Sequence, residues 1–220
     1  MNNSTKERPI LFSSDMVRAL IQEYHHPGQC KNQTRRTRGL DRFNDFPKEF
    51  DPGIKCPYGK KGDRLWVREA FCYKVDTNDQ FIGGQYWYRA TDPDVRAIGN
   101  DGYGLYRKDG TERSPWIPSI HMPRKASRIL LEITEVRIER LQEITWRDAQ
   151  LEGIECVWYD EEASVCLWRD YSGRSTGFAF EREAYFSLWE KINGPHSVNR
   201  NPWVWVIKFR VLTINGEYHE

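Results

Sequence analysis

The chain has 220 residues, a formal charge of +1 at neutral pH, 14% aromatic residues and mean hydropathy of −0.77. That length and aromatic content fit one sizeable packed core and exclude an intrinsically disordered chain, and a net charge so near zero does not by itself call for nucleic acid. The charge is unevenly spread: Lys31 to Arg68 holds eleven Lys/Arg against five Asp/Glu, a local +6 that leaves −5 for the remainder, which predicts one basic face suited to an anionic partner such as a nucleotide or RNA.

Taken in chain order, Met1 to Arg8 is polar and lacks an apolar signal region, and no later run approaches membrane-spanning length. Residues 14–23 predict an amphipathic helix, with Ser13 or Ser14 as cap, Asp15 in the first turn and Val17, Leu20 and Ile21 on one face. The helix stops before Pro27-Gly28. Residues 39–62 carry Pro47, Pro52, Gly53, Pro57, Gly59 and Gly62 and read as an irregular loop, followed by a strand over Asp63–Glu69. Residues 73–115 alternate aromatic runs with Gly-rich turns and read as one or two hairpins added to the core.

Ile129 to Ile138 is the strongest β pattern in the chain. A short helix opens at Thr145, with Asp148 in its first turn and Gly153 as its stop. Residues 157–180 read as a second, loop-like insertion, 181–192 as a helix with Ala184, Leu188, Trp189 and Ile192 on one face, and Trp203–Phe209 as a buried strand. Short strands with a few helices between them indicate an α+β class with a small closed or nearly closed sheet.

Five cysteines, Cys30, Cys56, Cys72, Cys156 and Cys166, are odd in number, widely spaced and without a Cys-x-x-Cys pair. Neither a disulfide framework nor a zinc knuckle is expected, His25-His26 reads as solvated, and no metal or other cofactor is implied. The expectation is a reduced, cytoplasmic, soluble protein.

The segment most suggestive of chemistry is Cys30-Lys31-Asn32-Gln33-Thr34-Arg35-Arg36-Thr37-Arg38. A desolvated lysine three residues before a hydroxyl can take its proton and make it a nucleophile, and Arg35, Arg36 and Arg38 suit a phosphate-bearing substrate. From composition alone the same run reads more readily as a solvated basic loop, and Arg35 or Arg36 is also a candidate structural partner of Glu69. Lys60 and Lys61 are candidates for the rim of the same basic groove. Most tryptophans read as core. Trp87 and Trp116, in turn-rich stretches, are candidate base-stacking side chains.

Several stretches together resemble the phage and prophage branch of the ASCH family, relatives of the PUA fold. They are Glu7-Arg8-Pro9-Ile10-Leu11-Phe12, Gln33-Thr34-Arg35-Arg36, Cys56-Pro57-Tyr58-Gly59-Lys60, Gly62 through Glu69, Pro118 through Pro123, Glu139 through Ile144, Ala149 through Ile154 and Asn201 through Val206. They leave out 73–115 and 157–180. The resemblance implies a single PUA-like domain, a small β-barrel with flanking helices and those two insertions, encoded by a phage or prophage and acting in the bacterial cytoplasm. One branch of the family removes the acetyl group from 4-acetylcytidine. Its catalytic set falls here on Lys31 as base, Thr34 as nucleophile and Glu152 as acid, without a metal. The connection Tyr24 to Gln29 is longer than in the phage relatives, and Asn32 stands where they carry Thr. The implied activity is an amidohydrolase on an acylated cytidine, as nucleoside or in RNA. A non-catalytic reader of RNA or modified bases and a ribonuclease are the alternatives.

Overall fold

The computed structural model describes residues 5–40, 42–43, 53–74, 85–93, 114, 116–163 and 165–218. Its centre is a long antiparallel pair formed by the two most apolar runs, β6 (Ile129–Arg140) and β9 (Trp203–Ile214). Leu131, Ile133, Val204, Val206 and Ile207 are fully buried between them and the helices. Register shifts between Leu130 and Leu131 and between Ile133 and Glu135 mark bulges, which bend and twist the pair.

Four shorter strands complete this sheet. β1 (Glu7–Leu11) runs parallel to β3 (Arg64–Arg68), β3 pairs antiparallel with β6, and β2 (Gln33–Arg36) and β10 (Glu217–Tyr218) share the far edge of β9. The three strands expected at 63–69, 129–138 and 203–211 therefore lie in one sheet. The closed barrel does not form: among the described residues the order β1-β3-β6-β9 ends without a β1–β2 ladder. The fold is mixed α+β with a sheet-dominated core. No helix among the described residues is long and apolar enough to cross a membrane.

The helix α1 (Ser14–His25) packs against β9. It starts where expected because the Ser13 hydroxyl accepts from the Met16 N–H and Asp15 sits in the first turn, and it buries Met16, Val17, Ala19 and Leu20. A short helix α2 (Trp146–Leu151) is capped by Thr145, whose hydroxyl accepts from the Asp148 N–H at 3.1 Å. It contacts α3 (Glu181–Asn193), which buries Ala184, Tyr185, Leu188 and Trp189.

Two hairpins stand apart from the main sheet. β4 (Phe71–Lys74) pairs with β5 (Gln85–Tyr88), and most of the remaining 73–115 expectation lies outside the described residues. β7 (Cys156–Asp160) pairs with β8 (Val165–Trp168), so the loop expected over 157–180 is in part a hairpin. That pairing also corrects the cysteine reading: Cys156 and Cys166 are joined by a disulfide, and only Cys30, Cys56 and Cys72 are free. Antiparallel pairing brings two cysteines ten residues apart to a Cα separation of 6.0 Å, the spacing a disulfide needs.

Candidate functional site

The segment that carries Lys31 is not a solvated loop. Buried Glu23, on the last turns of α1, accepts from the Gly28 N–H at 2.7 Å and the Cys30 N–H at 2.8 Å, which folds the long 24–29 connection back on the helix. Asn32 is then clamped on both sides, its N–H donating to Leu151 O and its carbonyl accepting from the Phe209 N–H. From Gln33 the chain runs as β2, with Thr34 opposite Ile207 and Arg35 opposite Val206. The strand was not expected because Gln-Thr-Arg-Arg has no apolar alternation; pairing with β9 imposes it.

Lys31 is 1% exposed, a long side chain buried over its whole length. Its amine donates to Glu152 O at 2.6 Å and Gln33 O at 3.0 Å, and lies 3.6 Å from Glu152 Oε2. The Gln33 carbonyl belongs to the peptide that enters Thr34, so the amine sits beside the threonine backbone. Burial pulls the Lys31 pKa down from 10.5 to about 8; Glu152 opposes this, while Arg36 and Arg35 add to it. A neutral amine has two N–H bonds and one lone pair. Two carbonyl acceptors satisfy the first and leave the second free.

Glu152 caps α2, and Gly153 follows with a positive φ of +85°, the helix stop expected at that position. A Cβ on Gly153 would stand 2.9 Å from both Lys31 Cβ and Ala19 Cβ, so the missing side chain is what lets the lysine stem lie flat against the turn.

Arg35 departs from the phosphate contact expected of it. Its guanidinium is fully buried and binds Glu152 Oε1 at 2.8 Å, Asp148 Oδ2 at 3.4 Å and, with two nitrogens, Glu139 Oε1. Burial lowers its pKa, but Glu152, Tyr185 and Glu139 outweigh that and hold it above the usual arginine value. Arg137 joins the network through Glu139 and Asp148. Neither Arg35 nor Arg36 pairs with Glu69, whose carboxylate is held by Arg128 at 2.9 and 3.0 Å.

Arg36 is half-buried over the Phe12 ring and donates to Leu11 O at 2.8 Å, whereas Arg38 is exposed and has no hydrogen bond or ion pair among the described residues. A cavity of about 140 Å³ is lined by Lys31, Thr34, Glu152, Arg35, Arg36 and Arg38, the residues singled out in the sequence. Phe12, Tyr58, Tyr185 and Trp189 add walls that the sequence did not reveal, since the two α3 residues share the face that reads as core. The Thr34 hydroxyl has no hydrogen-bond partner among the described residues. Lys60, Lys61, Trp87 and Trp116 do not line this cavity.

Fold and site define a mixed α+β protein with a sheet-dominated core and a buried lysine, hydroxyl and carboxylate around one small cavity. No protein-family profile matches the chain, and no curated protein or solved structure shows significant similarity to it.

Proposed function

We propose that the protein is a metal-independent amidohydrolase that removes an acyl group from the exocyclic amine of a modified cytidine, related in kind to the 4-acetylcytidine amidohydrolases of the ASCH family. The observation that carries the reading is the buried Lys31 amine, its pKa lowered to about 8, in the same cavity as the unpartnered Thr34 hydroxyl. A lysine whose pKa is lowered to about 8 has a neutral fraction near neutral pH that can act as a general base, which a guanidinium lacks.

In this mechanism the Thr34 oxygen attacks the acyl carbon while Lys31 takes its proton. The tetrahedral adduct collapses, the carbon–nitrogen bond breaks, and the Lys31 ammonium returns the proton to the departing amine. Water, deprotonated by Lys31, then attacks the acyl–threonine ester, releasing the carboxylic acid and restoring Thr34. Glu152 was expected to supply the acid. Bound by Arg35 on one oxygen and near Lys31 on the other, it acts here as the carboxylate partner that orients the amine.

The cavity is smaller than the roughly 300 Å³ at which ligand sites usually begin, so it takes the acylated end of the base and leaves the sugar at the mouth. Arg38 and Arg36 also line the cavity, and their guanidinium groups would meet a phosphate if the substrate is RNA. A second reading, binding without turnover, draws on the engagement of Glu152 by Arg35. Incubation with 4-acetylcytidine, as nucleoside and within RNA, separates the two. The hydrolase releases cytidine and acetate, and Thr34→Ala abolishes release; saturable binding with no product from any acylated cytidine leaves the reader.

A further inference from the structure

Two residues on the cavity wall carry hydrogen-bond donors that meet no acceptor among the described residues. Trp189 is 5% exposed, and its indole Nε1–H is buried without an acceptor. Tyr185 is 3% exposed, and its hydroxyl makes no hydrogen bond among the described residues. Of the two, the Trp189 indole is the one sealed from solvent, and a buried donor left without an acceptor costs about 1–3 kcal/mol. The Trp87 and Trp205 indoles are likewise buried without an acceptor, but neither lines the cavity or offers anything to a ligand there.

Tyr185 and Trp189 lie one turn apart on α3, with ring centroids 6.4 Å apart, and both line the cavity from the same helix face. Lys31 and Thr34 belong to the facing segment, on β2 and the turn before it. Burial and the nearby Glu152 hold the Tyr185 phenol well above 10, so it remains a donor at any working pH. The cavity thus has a base and a hydroxyl on one side, and two donors lacking an acceptor on the other.

We infer that the Trp189 indole N–H and the Tyr185 hydroxyl are a donor pair for the carbonyl oxygen of the bound acyl group. Its catalytic consequence rests on the amidohydrolase reading above. As the Thr34 oxygen bonds to the acyl carbon, the carbonyl π pair moves onto oxygen. The two hydrogen bonds to that oxygen strengthen without a proton changing owner, and they weaken again when the pair returns and the amine departs. The pair selects ligands that present a planar carbonyl acceptor beside a heteroaromatic ring, and it disfavours the unacylated amine, which has only N–H to offer at that point.

The test uses the full chain carrying Thr34→Ala, labelled with nitrogen-15 and titrated with 4-acetylcytidine. The indole resonance of Trp189 is identified by its loss in Thr34→Ala/Trp189→Phe. The donor pair requires this one indole proton to move downfield saturably, and the movement to shrink when Tyr185→Phe is added. In the otherwise native protein, Trp189→Phe and Tyr185→Phe each lower kcat about 10²-fold while KM changes less than about threefold. Binding that leaves the Trp189 indole unmoved overturns the donor pair, as does turnover insensitive to both substitutions, and neither touches the amidohydrolase reading. A moved indole in a protein that never releases cytidine upholds the pair and removes the amidohydrolase reading. The absence of any shifted resonance overturns the donor pair, and only if the native chain also releases no cytidine does it remove the amidohydrolase reading.

Discussion

Replacing Lys31 with Met keeps the apolar stem and removes the amine, and the consequence for stability depends on pH in a defined direction. In the unfolded chain the amine titrates at its ordinary 10.5; in the fold it titrates at about 8 because it is buried. Between those values the unfolded chain binds more protons than the folded one, so the wild type gains stability as pH rises through this window. At about 1.4 kcal/mol for each tenfold step, the gain is about 3 kcal/mol by pH 10.5, and it is absent below about pH 8. The Met variant has no such amine. It leaves the Gln33 and Glu152 carbonyls without their donor, a penalty of about 1–3 kcal/mol that does not vary with pH. At pH 7 that penalty is offset by relief from burying a charge. Urea unfolding of both proteins from pH 6.5 to 10.5 should show their difference growing by about 3 kcal/mol in favour of the wild type. Parallel stability curves across that range would refute the argument. The same titration sets the rate: turnover by the neutral amine should rise through about pH 8 and level off above it.

Three further outcomes follow from the same geometry. Gly153→Ala combines a left-handed backbone with a Cβ 2.9 Å from Lys31 and Ala19, and should destabilise by about 2–4 kcal/mol; a Tm within 2 °C of wild type would count against the close packing. Arg35→Met removes the central cation from buried Glu152 and half-buried Glu139 and Asp148, leaving them Lys31 and Arg137 alone, and should cost about 3–5 kcal/mol, seen as a Tm lower by about 10 °C or more; an unchanged Tm would show that the network is immaterial to the fold. Alkylation of the denatured protein should label three thiols before reduction and five after, and five labelled without reductant would contradict the Cys156–Cys166 bridge.

The parts of this fold that could be read from sequence are those whose pattern is local. The apolar runs at 129–138 and 203–209 gave the central pair, Ser13 with Asp15 gave the start of α1, and Gly153 gave the end of α2. What could not be read depends on partners far along the chain. Gln33–Arg36 becomes a strand only by pairing with β9, and Arg35 becomes an internal counter-ion only because Glu139, Asp148 and Glu152, more than 100 residues later, converge on it. Counting cysteines missed the disulfide because pairing depends on the β7–β8 register, not on parity. Lys31 and Thr34 stood out by their spacing and Glu152 only through the family resemblance; the three line one cavity. The facing wall could not be read, since a tryptophan and a tyrosine on an apolar helix face have the same sequence signature whether or not their polar atoms are satisfied.

The sheet stops short of closure on the flank where the cavity lies. Across the gap between β1 and β2 the described contacts are made by side chains, the Arg36 guanidinium reaching Leu11 O and resting on Phe12, with no backbone ladder. Elsewhere, widening the sheet means breaking rows of amide bonds together. Here it means turning one arginine. The seam beside Lys31 is therefore held by side chains, whereas the rest of the sheet is held by its backbone.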